Sequence, residues 1–246
     1  MRKTLLAALA AIVLGGSAHA AWLDVNAHAG YTTFAMRALN SANASLYGYN
    51  MGANYGNDGQ LTNGLVAGLD LTTQRLLNVQ GLRWGLRGEY IQSNLSEFKT
   101  DDTSGYDIGA QFTEQASLTN VLVGAGYSLP FATDGLSMGL GAWVGAGYGV
   151  VNQVTSEDYS GPAAIQSGAY AAILPVAELE ASVAYSLTQH VSLSLTGGWR
   201  WADAPQVSSG GVPLYNNWQR WYNTVNQPVN ADFGGATAQG SVSYSF

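Results

Sequence analysis

The segment Ala236-Thr-Ala-Gln-Gly240-Ser-Val-Ser-Tyr244-Ser-Phe246 alternates without a break between apolar or small residues and polar ones. Its even-numbered residues are alanine, glycine, valine, tyrosine and phenylalanine, and its odd-numbered residues are threonine, glutamine and serine. Successive side chains of a β-strand point to opposite faces, so this period of two predicts a strand with one apolar face and one polar face.

The same alternation recurs upstream in seven further segments. Their boundaries predict eight strands of about 10 to 14 residues, which is the length that a tilted span of a membrane barrel requires. A pair of strands hidden in residues 45–55 or 212–225 would raise the count to ten. The seven segments are Leu23–Tyr31, Gly64–Thr72, Leu82–Tyr90, Ser117–Leu129, Leu136–Tyr148, Ala177–Leu187 and Val191–Trp201.

The composition indicates that the apolar faces meet lipid. Only 10% of the residues are charged and 47% are hydrophobic, whereas a soluble domain carries about 25% charged residues. A soluble sandwich would also alternate, but its outer face would be rich in lysine and glutamate. We therefore predict a transmembrane, antiparallel, up-and-down β-barrel. Aromatic residues at the outer strand ends fit an interfacial girdle: Tyr31, Tyr90, Tyr148, Trp199 and Trp201.

Residues 1–20 have the features of a signal peptide. Arg2 and Lys3 precede an apolar run over residues 5–14, and Ala18-His-Ala20 provides small residues for cleavage. We expect a mature barrel domain over residues 21–246. The chain has no cysteine, which excludes a disulfide scaffold and a thiol nucleophile. Its formal charge of −7 argues against nucleic acid as a partner.

The connections between the predicted strands are alternately short and long. Short turns belong to the periplasm and long loops to the cell exterior, so we expect both mature termini in the periplasm. The short connections are 73–80, 130–134 and 188–189, and the long ones are 34–63, 94–116, 151–172 and 202–234.

The C-terminal Val242-Ser-Tyr244-Ser-Phe246 and the stretch Gly198-Trp-Arg-Trp-Ala-Asp203 resemble the small eight-stranded outer-membrane proteins, the OmpA-barrel, OmpX and OmpW group. The resemblance implies an outer-membrane location in a Gram-negative envelope. It also implies that Val242, Tyr244 and Phe246 form a signal read by the barrel-assembly machinery. The expected partners are outer-membrane lipid and lipopolysaccharide, and the expected state is a monomer.

Charged residues fall on the predicted inward face of the strands. Buried charges must be paired or hydrogen-bonded, and an eight-stranded barrel is just wide enough for side chains to fill. We therefore predict a salt-bridge network that closes the lumen, with an ion-conducting path along the same residues as the alternative. The predicted network comprises Arg83, Arg87, Glu89, Glu178, Glu180 and Arg200, and Asp24 and Asp70 also point inward.

Catalytic and metal-binding patterns are weak in this sequence. His28 is the one inward histidine of the predicted strands, and no serine and acid accompany it at matching depth. His190 belongs to a turn, so the two histidines lie in different regions and favour no metal site. We expect neither an enzyme nor a cofactor, and we keep a lipid-modifying enzyme only as a remote alternative.

The last long loop is rich in aromatic residues: Tyr215, Trp218, Trp221 and Tyr222. These side chains either fold onto the barrel mouth or form a surface for an extracellular ligand. The leading hypothesis is a barrel with a structural or surface-interaction role. The first alternative is a narrow channel for small or hydrophobic solutes, of the OmpW kind.

Overall fold

The computed structural model describes residues 23–37, 39–40, 60–73, 79–94, 96–100, 108–131, 135–159, 164–204, 207–209, 212–213 and 230–246. The predicted signal peptide, the segment 45–55 considered for an extra pair of strands, and the four aromatic residues of the predicted last loop lie outside these ranges. Among the described residues, no helix combines the length and apolarity needed to cross a bilayer.

Eight long antiparallel strands form a closed barrel. Each strand pairs with its neighbours in the chain, and the last strand pairs with both the first and the seventh. The predicted eight-stranded antiparallel barrel is therefore confirmed. The strands are β1 Asp24–Thr33, β2 Asn63–Thr73, β3 Leu82–Ser93, β4 Ile108–Pro130, β5 Leu136–Tyr159, β6 Ala164–Ser186, β7 Val191–Trp201 and β8 Gly235–Ser245.

Within the described residues, five short strands accompany the eight long ones at the loop end. Ser208–Ser209 pairs with Val212–Pro213 and touches β6 at Ala171, so Val212–Pro213 belongs to a small hairpin and adds no strand to the barrel. The others are Ser96–Thr100, Asp203–Ala204 and Ala231–Asp232.

Strands β4, β5 and β6 are longer than the sequence predicted. They contain 23, 24 and 23 residues, about twice the 9–11 residues of a membrane-spanning strand. Most of the predicted loops 94–116 and 151–172 is therefore strand, and that part of the loop prediction is wrong. In β5 and β6 the alternation stops there while the backbone hydrogen bonds continue. In β4 the apolar residues change from even positions in residues 108–116 to odd positions in residues 121–127, so the extension does not continue the pattern of the predicted strand.

The two ends of the barrel differ in their connections. At one end, Gly81 and Gly135 adopt positive φ angles of 83° and 81° in tight turns, a conformation that glycine adopts without steric cost. The amide of Phe246 donates to the carbonyl of Leu23 at the same end, at 3.0 Å. We call this the turn end and the opposite end the loop end.

The outward surface is apolar on every side of the barrel. Ile173, Leu195, Leu140 and Leu65 are exposed by 80%, 73%, 69% and 68%, although each would be a core residue in a soluble protein. At the turn end, Tyr244 packs edge-to-face on Phe246 with ring centroids 4.8 Å apart. The predicted assembly-signal residues thus lie on the outer surface at this rim, and their recognition by an assembly machine stays a prediction.

Candidate functional site in the barrel lumen

The loop half of the lumen is filled by apolar side chains. Those from the wall lie on four different strands, and others come from the segments after β1 and before β2 and β8. Phe34 packs edge-to-face on Phe233, with ring centroids 6.5 Å apart. We call this group the apolar plug: Phe34, Met36, Leu39, Leu61, Val66, Ile91, Leu118, Leu122, Leu174, Val176 and Phe233, all buried.

Arg200 on β7 is at the centre of the charged residues below the plug. Its side chain is fully buried. Its Nε donates to Glu178 at 2.5 Å, and its Nη2 donates to Glu89 at 3.0 Å. One guanidinium therefore joins β7 to β6 and to β3 across the lumen.

Arg87 on β3 makes a second set of ion pairs closer to the turn end. It donates to Asp70 from Nε at 2.8 Å and from Nη2 at 3.1 Å. Its Nη1 lies 2.7 Å from Glu180 and 3.2 Å from Glu178. Its guanidinium also lies over the ring of Trp143, 4.1 Å from the centroid, a geometry that adds cation–π attraction.

Strand register explains these pairs. Asp70 lies directly opposite Arg87 in the β2–β3 ladder, and Glu178 lies opposite Arg200 in the β6–β7 ladder. Opposite charges at facing positions attract each other across a strand pair. Trp143 reaches the cluster because its neighbour on β4 is Gly124, where an added Cβ would lie 2.5 Å from the indole.

The structure brings five predicted residues together and leaves the sixth apart. Arg87, Glu89, Glu178, Glu180 and Arg200 form one network, which we call the charge cluster. Arg83 lies nearer the turn end, with its side chain 41% exposed, and pairs with Asp24 at 3.3 Å.

Two more residues, Asp70 and His28, contact the charge cluster, and the predicted network did not include them. Asp70 chelates Arg87, and His28 places its Nε2 3.2 Å from Glu89 and its Nδ1 3.5 Å from Asp70. The sequence assigns both to the inward face. Counting residues from strand ends ignores the stagger between strands, so it does not place Asp70 beside Arg87. Cross-strand register is the signal that could have found this pair.

The turn half of the lumen contains a polar cavity of about 170 Å³. We call it the vestibule. Arg87, Trp143 and Glu180 line its inner end, next to the charged residues, and its wall is lined mainly by hydroxyl groups and glycines. The wall serines are Ser128, Ser137, Ser182, Ser186, Ser192, Ser194 and Ser243. Several of these inward serines are only half-buried, whereas the plug residues are closed off from solvent.

The histidines have no catalytic arrangement in the described part of the chain. His28 faces carboxylates of the charge cluster, and His190 makes its ring contact to the carbonyl of Ser245, at 2.9 Å. Within the described residues, no three histidine, aspartate or glutamate side chains are grouped to hold a metal ion.

No protein-family model matches the sequence, and a search of characterised proteins found no match. Several solved structures are similar in fold. Neisserial surface protein A has 12% identity and a TM-score of 0.38, with 91% of this chain and 97% of that chain covered. The outer-membrane protease OmpT of Escherichia coli has 10% identity and a TM-score of 0.40, with 92% and 97% covered. A major outer-membrane protein of Thermus thermophilus has 14% identity and a TM-score of 0.45, with 93% and 100% covered.

Proposed function

We propose that this chain is a bacterial outer-membrane barrel with a structural or surface-interaction role, and that its lumen is sealed at the loop end. Location in a membrane is supported by the exposed leucines, valines and tyrosines that cover the outside of the wall, because a closed barrel with an apolar outer band is the β-structure that lipid permits. In this proposal the turn end and both mature termini face the periplasm.

The observation that carries the sealed lumen is the apolar plug. Leu118, Leu122, Phe233 and Leu61 have no exposed surface, and an ion that passed them would lose its hydration without gaining polar partners. The charge cluster beneath them is internally paired. The surface role then falls to the extended strands β4, β5 and β6 and to the loops beyond them.

Planar-bilayer recording tests the seal. We expect the wild-type chain to give no conductance steps, because the plug blocks the loop half. A double variant, Arg87→Ala with Arg200→Ala, removes cations from the cluster but leaves the plug, so it is also expected to be silent. Regular steps from the wild type, altered by the double variant, would overturn the proposal.

A narrow channel is the second candidate, because the vestibule is a polar cavity in the turn half of the lumen. It requires the plug to move, and the same recordings decide it. Absence of catalysis is also part of the proposal. Lipid A from cells with and without the protein is expected to have identical mass spectra.

Orientation is tested on intact cells with an impermeant thiol reagent, since the chain has no cysteine of its own. Val154→Cys lies on the β5 extension, and Thr188→Cys lies in the turn before β7. We expect labelling of the first alone in intact cells and of both after lysis. The opposite pattern would reverse the orientation.

A further inference from the structure

A groove lies at the rim of the loop end of β1, β7 and β8, between the outward side chain of Trp199 and the plug residues Phe34 and Met36. It has a volume of about 480 Å³ and is lined by both polar and apolar side chains. Trp199 faces it from the outer surface and is 47% exposed, and Arg37 faces it from the segment after β1. We call it the rim groove.

The backbone around the rim groove is held in place by hydrogen bonds. Phe34 donates to Thr62 at 2.9 Å, and Ala35 donates to Gly234 at 2.8 Å. The side chain of Asn40 binds both backbone groups of Leu61, at 3.1 and 3.0 Å. The groove is thus a preorganised part of the rim, which lowers the entropy cost of binding.

Arg37 differs from the other arginines whose side chains the structure describes. Arg83, Arg87 and Arg200 each form ion pairs inside the lumen, whereas Arg37 has no carboxylate within 4.0 Å among the described residues. Asp232 interacts with it electrostatically over a longer distance. The planar guanidinium is suited to bidentate recognition of phosphate.

A second groove lies nearer the turn end and runs across β1, β8, β7 and β6, with Val183, Ala184 and Tyr185 contributed by β6. It has a volume of about 750 Å³ and an almost entirely apolar lining that includes Ala27, Ala29, Leu195 and Gly240. We call it the wall groove. Between the two grooves the outward residues of β7 and β8 are small and exposed, as at Gly197 and Ala238. Tyr31 of β1, 48% exposed, lies opposite Ala238 and borders this passage. A polar groove with one cation therefore continues into an apolar groove on the outer surface.

We propose that the rim groove and the wall groove together bind one phosphorylated glycolipid of the outer leaflet. Arg37 holds a phosphate, Trp199 packs against the sugar, and an acyl chain lies in the wall groove. A phosphate group alone would leave the wall groove empty, and an ordinary acyl chain alone would leave Arg37 with no anionic partner within 4.0 Å among the described residues. The proposal rests on the proposed membrane location and orientation, since it places the loop end at the outer leaflet.

The test measures binding of lipid A to the full mature chain folded in detergent micelles, with dephosphorylated lipid A and inorganic phosphate as parallel probes. Arg37→Gln is expected to weaken lipid A binding about tenfold, the value of one charge-assisted hydrogen bond. Arg37→Lys is expected to restore most of it. Dephosphorylated lipid A should bind the wild type as weakly as lipid A binds the Arg37→Gln variant.

The wall groove is tested by filling it. Ala29→Leu is expected to weaken lipid A binding severalfold, while Ala146→Leu, an outward alanine on β5 across the barrel, leaves it unchanged. Equal affinity in Arg37→Gln and wild type would overturn the proposal, as would equal effects of the two leucine variants. Inorganic phosphate that binds as tightly as lipid A would also overturn the proposal, because the wall groove would then contribute nothing to binding.

Circular dichroism and the heat-dependent shift in gel mobility show whether each variant is folded before binding is measured. Micelles have no inner and outer side, so these results do not depend on orientation or on conductance. Failure of lipid binding therefore counts against the grooves alone, and failure of the labelling or conductance experiments counts against the proposed function.

Discussion

The two halves of the lumen solve the same packing problem in different ways. In the loop half, leucine, isoleucine and phenylalanine side chains fill the space and exclude water. In the turn half, serines and glycines leave a polar cavity. The charge cluster lies at the boundary between the two halves. Its arginines pair with carboxylates, and only the side of the cluster toward the turn end faces the vestibule. Apolar packing therefore closes the loop half of the barrel, and the ion pairs form the inner end of the vestibule in the turn half.

The largest expected effect lies at the boundary itself. Arg200→Ala removes the buried cation that Glu89 and Glu178 share, so we expect a loss of about 3–5 kcal/mol in the free energy of unfolding. Urea unfolding in lipid vesicles measures it. The matched control is Arg83→Ala, whose half-exposed pair with Asp24 should cost less than about 1 kcal/mol.

If Arg200→Ala does not fold, Glu178→Gln in the same chain removes one of the two carboxylates that have lost Arg200. This double variant is expected to recover part of the stability. Equal losses of unfolding free energy for Arg200→Ala and Arg83→Ala would contradict the prediction that the buried ion pairs at the boundary stabilise the barrel more than the half-exposed pair in the turn half.

The next effect compares the two halves directly. Leu174→Ala in the plug should cost about 2–5 kcal/mol, because it removes buried methyl groups and leaves a cavity. Ser182→Ala in the vestibule should stay within about 0.5 kcal/mol. The same unfolding experiment checks both, and a loss at Ser182 as large as that at Leu174 would show that the vestibule is packed.

The smallest effect concerns pH at the loop end. Burial raises the pKa of the Asp232 carboxyl above its ordinary value of 3.8, and Asp203 acts in the same direction. Ionisation of Asp232 thus costs stability as pH rises through the raised value, and no cost remains well below pH 3.8. We expect Asp232→Asn to unfold at a slightly higher temperature than wild type at pH 8.

The asparagine can still accept the hydrogen bond that Gly234 donates to Asp232 at 2.8 Å. The advantage of Asp232→Asn should therefore shrink to nothing in acid. A gap between the two melting temperatures that is constant with pH would contradict the assignment of the effect to ionisation.

The barrel and its inward charges were predictable because most of each strand alternates between apolar outward residues and polar inward residues. Leu195 and Arg200 show this contrast within one strand. The extensions of β5 and β6 were not predictable, since alternation ends at Tyr148 and Ala177 while pairing continues. The extension of β4 was missed because its apolar residues change from even to odd positions near Ser117. The plug residues Phe34 and Met36 lie in segments with no period, so their position depends on packing that local sequence does not encode.

The central claim is that solvent enters the lumen from the turn end and stops at the charge cluster. Because the chain has no cysteine, Ser182→Cys and Leu174→Cys place single thiols on β6 in the two halves. In folded protein, a small charged thiol reagent is expected to label Ser182→Cys rapidly and Leu174→Cys at least about a hundredfold more slowly, a protection that buried positions gain from the need for local opening. Equal labelling rates, in variants shown to be folded, would contradict the account.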